Sequence, residues 1–154
     1  MLTWVLRTGV AALIGMLSML PPATVIAIVE PLSVEELTAR SDLVAILRIV
    51  SVFEPASNSW FATITARPVR VIKGEELGCQ RKLEIKEGKG ISTAVEYEQG
   101  ALVLAFLDQR DACVFATVNS YQGALVVHGD RVEVAPGERV QLEWVVRQIE
   151  AAMR

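Results

Sequence analysis

At 154 residues the chain has room for one domain, and its 15 Lys and Arg against 18 Asp and Glu give a formal charge of −3. That balance lacks the basic excess by which proteins neutralise phosphates, so nucleic acid is excluded as an expected partner. The hydrophobic fraction of 52% and mean hydropathy of +0.39 would suit a membrane protein, but the excess is concentrated at the N-terminus.

Between Met1 and Ala27 the only charged side chain is Arg7, followed by an apolar run from Gly9 to Leu20 and the helix-breaking pair Pro21-Pro22. This is the pattern of a signal peptide, with Ala27 at the cleavage site and residues 28–154 as the exported domain. An uncleaved signal anchor is the alternative, although a spanning helix wants about 20 uninterrupted apolar residues. A membrane is expected as a partner only in that case. Removal of residues 1–27 takes away Arg7 and no acid, leaving 14 basic and 18 acidic side chains and a charge of about −4.

Ser33 followed by Glu36 is a capping box, and it predicts a short helix over 33–40. Leu43 to Phe53 is apolar on both parities, which predicts a central strand covered on most of both faces. Pro55 to Ser59 reads as a turn, and Trp60 to Lys73 as a second long strand. Its apolar parity changes at Arg67-Pro68, and that change requires a bulge. Bent strands of this kind close small barrels. Lys82 to Lys86 alternates cleanly as a half-solvated strand. Ala101 to Leu107 and Cys113 to Val118 are further strands, joined by a polar hairpin connection over 108–112.

If the strands from Lys82, Ala101 and Cys113 form a meander, the first and third are parallel and begin at the same end of the sheet. Cys79 and Cys113 then lie together. In an exported chain an even pair reads first as a disulfide, which would close a loop of some thirty residues and stabilise by roughly 3 to 4 kcal/mol. A redox or metal pair is the alternative, but the spacing is not C-x-x-C, and the single His128 does not complete a zinc site. No cofactor or metal is expected.

Leu125–Val127 and Arg131–Val134 flank a hairpin turn at His128-Gly129-Asp130, and Ala135-Pro136-Gly137 is expected to end the sheet. From Val140, the residues Leu142, Val145, Ile149, Ala152 and Met153 follow helical spacing, with Glu143 and Arg147 as an i,i+4 pair. The expected fold is therefore all-β with flanking helices: a small closed or partly open OB-like barrel, a short N-terminal helix and a C-terminal amphipathic helix.

Three segments, Ser33 to Val44, Val69 to Gly74 and Tyr97 to Leu107, together with Tyr121-Gln122-Gly123 and Gly129 to Val132, carry a family likeness. With them the chain resembles exported bacterial proteins whose domain is similar to the netrin and tissue-inhibitor-of-metalloproteinases (NTR) module, an OB-type barrel. The likeness covers about Ser33 to Met153 and rests on fold-forming motifs. In the animal inhibitors a cysteine at the mature N-terminus chelates the protease zinc. Here the expected mature start is Ile28-Val29-Glu30, with no cysteine in that region, so the resemblance does not imply metalloprotease inhibition.

Any nucleophile–histidine arrangement has to use His128, which sits in the predicted turn. The acid pairs Glu35-Glu36 and Glu75-Glu76 read as solvation and helix-start charge rather than a glycosidase dyad. Arg67, Arg70, Lys73, Arg81, Lys82, Lys86 and Lys89 make the central third locally basic, with Trp60 and Phe61 as nearby aromatics. The expectation is a non-catalytic binding module of the cell envelope, with an envelope protein or polymer as partner and Arg70, Lys82 and Lys86 as the binding face. A hydrolase with an unrecognised site is the alternative, and loss of turnover in His128→Ala would identify it.

Overall fold

Ser33 and Glu36 satisfy each other's backbone at the start of the first helix. The computed structural model describes residues 31–55, 60–89 and 95–154, and α1 spans Val34–Arg40. The Ser33 hydroxyl accepts from the Glu36 N–H at 3.2 Å, and Glu36 Oε2 accepts from the Ser33 N–H at 2.9 Å. This is the reciprocal bonding of a capping box, and it holds the Glu36 carboxyl below its ordinary range. At the other end, Lys73 Nζ donates to the carbonyls of Thr38 at 2.7 Å and Ser41 at 2.6 Å. A cation there complements the helix dipole and satisfies acceptors the helix leaves open.

The central strand β1 (Leu43–Phe53) is paired on both sides, with β2 (Phe61–Lys73) and with β4 (Leu102–Asp111). β3 (Leu83–Gly88) joins β2, and β5 (Val114–Thr117) runs parallel to β3 and antiparallel to β4. The order β1-β2-β3-β5-β4 therefore returns to β1 as a closed five-stranded barrel. The expected meander of β3, β4 and β5 is corrected in its order, while the parallel relation of the first and third strands holds. β1 already occupies one side of β4, so β3 has no place beside it. β5 takes the remaining side and closes onto β3. The polar stretch 108–111, expected as a connection, continues β4, and the turn tightens to Ala112-Cys113.

Closure explains why β1 is apolar on both parities. Leu43, Ala45, Leu47 and Ile49 point into the barrel, where they meet Val103, Ala105 and Leu107 of β4. Val44 and Ile46 point outward into a second core with Leu104, Phe106, Leu37 of α1 and Val145 and Ile149 of the C-terminal helix. In β2 the register steps from Ile46↔Arg70 to Leu47↔Pro68, leaving Val69 as the extra residue of a bulge beside the proline. Ala62, Ile64 and Ala66 fill the barrel before the bulge, and Val71 packs against that core after it.

The second side of β4 is shared: its far half carries β5, and Val103–Ala105 pairs with β6 (Ala124–His128). β7 (Arg131–Ala135) and β8 (Glu138–Gln141) continue this extension, so Pro136-Gly137 turns the sheet rather than ending it. Val140 pairs with Val132 as a strand residue, and α2 consequently begins two residues later, spanning Leu142–Ala152. Its buried face is Val145, Val146 and Ile149. Ala152 and Met153, expected on that face, are exposed: Ala152 is the last residue of α2 and Met153 its C-cap.

Cys79 and Cys113 are disulfide-bonded, with their Cα atoms 5.5 Å apart, a bond that belongs to an oxidising compartment. Among the described residues no helix is long and apolar enough to cross a membrane. The expected signal segment 1–27 and the turn residues 56–59 lie outside the described residues.

Candidate ligand-binding face

Where the second core stops, the outer face of β1, β2 and β3 is open to solvent. Cross-strand register sets its rows: Phe53↔Thr63↔Lys86, then Ser51↔Thr65↔Glu84, with Phe61 opposite Gly88 at the tip. Neighbours across such a ladder project from the same face. Trp60 is 81% exposed, Phe53 63% and Phe61 57%, and Val50 and Val69 are also exposed. Lys86 Nζ donates to the Thr63 hydroxyl at 2.7 Å and lies 3.7 Å from Glu84 Oε2. Lys89 ties down the tip, its backbone N–H donating to Trp60 O at 2.8 Å and its Nζ to Pro55 O at 3.3 Å.

Further along the same face, Arg48 of β1 is directly opposite Arg67 of β2. Like charges so placed destabilise a ladder by up to ~1 kcal/mol. Arg48 Nη1 donates to Gly100 O at 3.2 Å, and among the described residues neither guanidinium has a carboxylate within 4.0 Å.

The three residues expected as the binding face separate. Lys86 lies on the face, at the β3 end of the row Phe53–Thr63–Lys86. Lys82 stands just ahead of β3, beside a surface hollow of about 270 Å³ shared with Leu83, Glu84, Ala112, Cys113 and Val114. Arg70 lies beyond the β2–β3 ladder, which ends at Ala66, and reaches α2 instead, 2.7 Å from Glu143 and 3.8 Å from Glu150. The expected Glu143–Arg147 pair is replaced by this bridge, since Glu143 turns toward the sheet. Phe53 and Arg48 are the face residues that sequence reasoning assigned to the buried strand. Their signal was Arg48 itself, the only charged residue from Leu43 to Phe53.

Behind the aromatic tip, the barrel mouth is filled by polar groups. Glu87 follows Leu83 and Ile85 on the inward parity of β3, and its Oε1 accepts from the Thr117 N–H at 3.1 Å. Tyr97 Oη and Thr117 Oγ1 are 2.8 Å apart. Burial raises the Glu87 carboxyl above its ordinary range, partly opposed by its bonds from Thr117. Burial likewise pushes the Tyr97 phenol well up, the hydrogen bond with Thr117 opposing and the Glu87 charge adding to the shift.

His128 ends β6, with Nε2 3.6 Å from Glu133 Oε2. Arg139 Nε donates to the same oxygen at 3.2 Å, and this bond is the largest cause holding the Glu133 carboxyl below its ordinary range. Glu36 serves the α1 cap, and Glu75 and Glu76 lie on an exposed 3-10 turn, Glu75–Leu77. No family model and no curated protein matches this chain.

Proposed function

We propose that the protein is an exported, non-catalytic binding module of the cell envelope, with a netrin-like barrel that holds an envelope polymer on the outer face of β1, β2 and β3. The observation that carries this reading is the row Phe53–Thr63–Lys86 with Phe61 at the tip of the same face, exposed aromatic rings, a hydroxyl and an ammonium on one rigid surface, and with Trp60 exposed just ahead of β2, next to Phe61. Rings of this size normally bury 150–250 Å² each, so large rings more than half exposed on one part of the surface mark a contact surface. OB-type barrels bind oligonucleotide and oligosaccharide strands on the face of their second and third strands. The disulfide supports export, as does the signal-like segment 1–27.

Co-sedimentation with insoluble envelope polymer tests the reading. The wild-type protein should pellet with the polymer, and Phe53→Ser/Trp60→Ser should remain in the supernatant with an unchanged melting temperature, since both side chains are exposed. Equal pelleting of the two proteins would overturn the assignment of this face.

A further inference from the structure

We infer that Arg48 and Arg67 form an oxyanion site, and that the polymer lying on this face is an anionic polysaccharide carrying carboxylate or sulfate groups. The inference rests on the reading of the face above and adds to it the charge of the ligand. Arg48 and Arg67 are Cα partners on antiparallel strands, a relation that sets backbones about 5 Å apart with side chains on one side. Two guanidinium forks at that spacing match a carboxylate or sulfate, which accepts paired N–H donors.

Among the described residues, the surrounding carboxylates are engaged elsewhere and leave this pair without an ion-pair partner. On β3, Glu84 is turned to Lys86. On β2, Arg70 draws Glu143 and Glu150 of α2 to itself. On the β4 side, Arg48 donates to the neutral carbonyl of Gly100 and, among the described residues, to no carboxylate. A local concentration of positive charge thus sits on a chain whose formal net charge is −3.

Position gives the ligand its shape. From Thr63, in the aromatic row, to Arg67 is four residues of one strand, about 13 Å at the usual rise. Rings at one end and paired cations at the other suit a linear chain offering flat apolar patches and recurrent acid groups. A single strand of nucleic acid has the same two properties. The disulfide's compartment and the acidic whole-chain balance favour the polysaccharide.

The test is calorimetric titration of the full protein with oligogalacturonate, its neutral methyl ester, dextran sulfate and oligo-dT at low and high salt. One or both acidic glycans should bind at least about tenfold more tightly than the ester, and the tighter of the two identifies the oxyanion. Arg48→Gln/Arg67→Gln should lose about tenfold for that glycan, the scale of charge-assisted hydrogen bonds. Its salt dependence should flatten and its melting temperature should not fall, because the substitution also removes a like-charge pair. Arg110→Gln, which removes a cation paired with Asp108 on β4, should bind as wild type.

Equal affinity for acid and ester, with both lost in Phe53→Ser/Trp60→Ser, would overturn the oxyanion site and leave the binding face standing. Undiminished binding in both double variants would overturn both readings. Tighter binding of oligo-dT than of either glycan would overturn the polysaccharide assignment.

Discussion

Glu87 accepts a hydrogen bond from the Thr117 backbone inside the barrel mouth, at 3.1 Å, in surroundings that disfavour its charge. The folded-state pKa is raised above 4.5, so between that value and the raised one the folded protein binds more protons than the unfolded chain. Stability contributed by this group therefore falls as pH rises through the window, and the cost is fully present above the folded pKa. Glu87→Gln keeps an acceptor and removes the charge. Thermal melts should show the variant more stable than wild type at neutral pH, with the difference shrinking as pH drops toward 4.5. A difference that stays constant across that range would disprove the account.

Gly74 and Gly123 both leave no room for a Cβ beside a carbonyl oxygen, and Gly74 has a left-handed backbone besides. Gly74 has φ +85°, and a Cβ there would strike the Asp42 carbonyl oxygen. At Gly123 a Cβ would strike the Val118 carbonyl oxygen. Gly137 has φ +78° with open space around it. Chemical denaturation should therefore show Gly74→Ala and Gly123→Ala losing about 2 kcal/mol or more, and Gly137→Ala only about 1 kcal/mol, the left-handed backbone penalty alone.

Arg70 and Lys86 should respond differently to substitution. Arg70→Ala removes exposed ion pairs to α2 and should cost under about 1 kcal/mol, less at high salt, with polymer pelleting unchanged. Lys86→Glu places a carboxylate beside Glu84 on the β3 side of the face, and pelleting should drop sharply.

Intact mass of the protein from the cell envelope should begin at Ile28, with both thiols protected from alkylation until a reductant is added. A mass beginning at Met1 with retained membrane association would establish the uncleaved anchor instead.

The capping box, the doubly buried first strand and the bulge near Pro68 were legible in the sequence because each is written in local spacing or parity, and the cysteine pairing because the chain has only two cysteines and the parallel relation of β3 and β5 survives the corrected strand order. Strand order was not, since it depends on which side of β4 is already occupied by β1. β8 escaped notice because Glu138–Gln141 carries Val140 as its sole apolar residue and its pairing is supplied by β7. Trp60, Phe61 and Lys86 announced the candidate face, yet Phe53 and Arg48 read as core. Val50 is the extra residue of a second bulge, between Ile49 and Ser51, and it turns Phe53 outward. Arg48 lies just past the point where the helices stop covering β1. Neither fact has a signature in a strand read alone.

Among the described residues the junction of β3 and β5 joins the barrel through two Cα pairs, Glu84↔Val114 and Ile85↔Phe115, and the disulfide clamps it at the end where both strands begin. It is the narrowest seam in the wall. In a reducing cytoplasm that seam loses its clamp, and an unzipped barrel is a sheet with two raw flanks, each able to recruit a strand from another chain. The bond that marks an oxidising compartment thus also holds shut the seam at which such flanks would open.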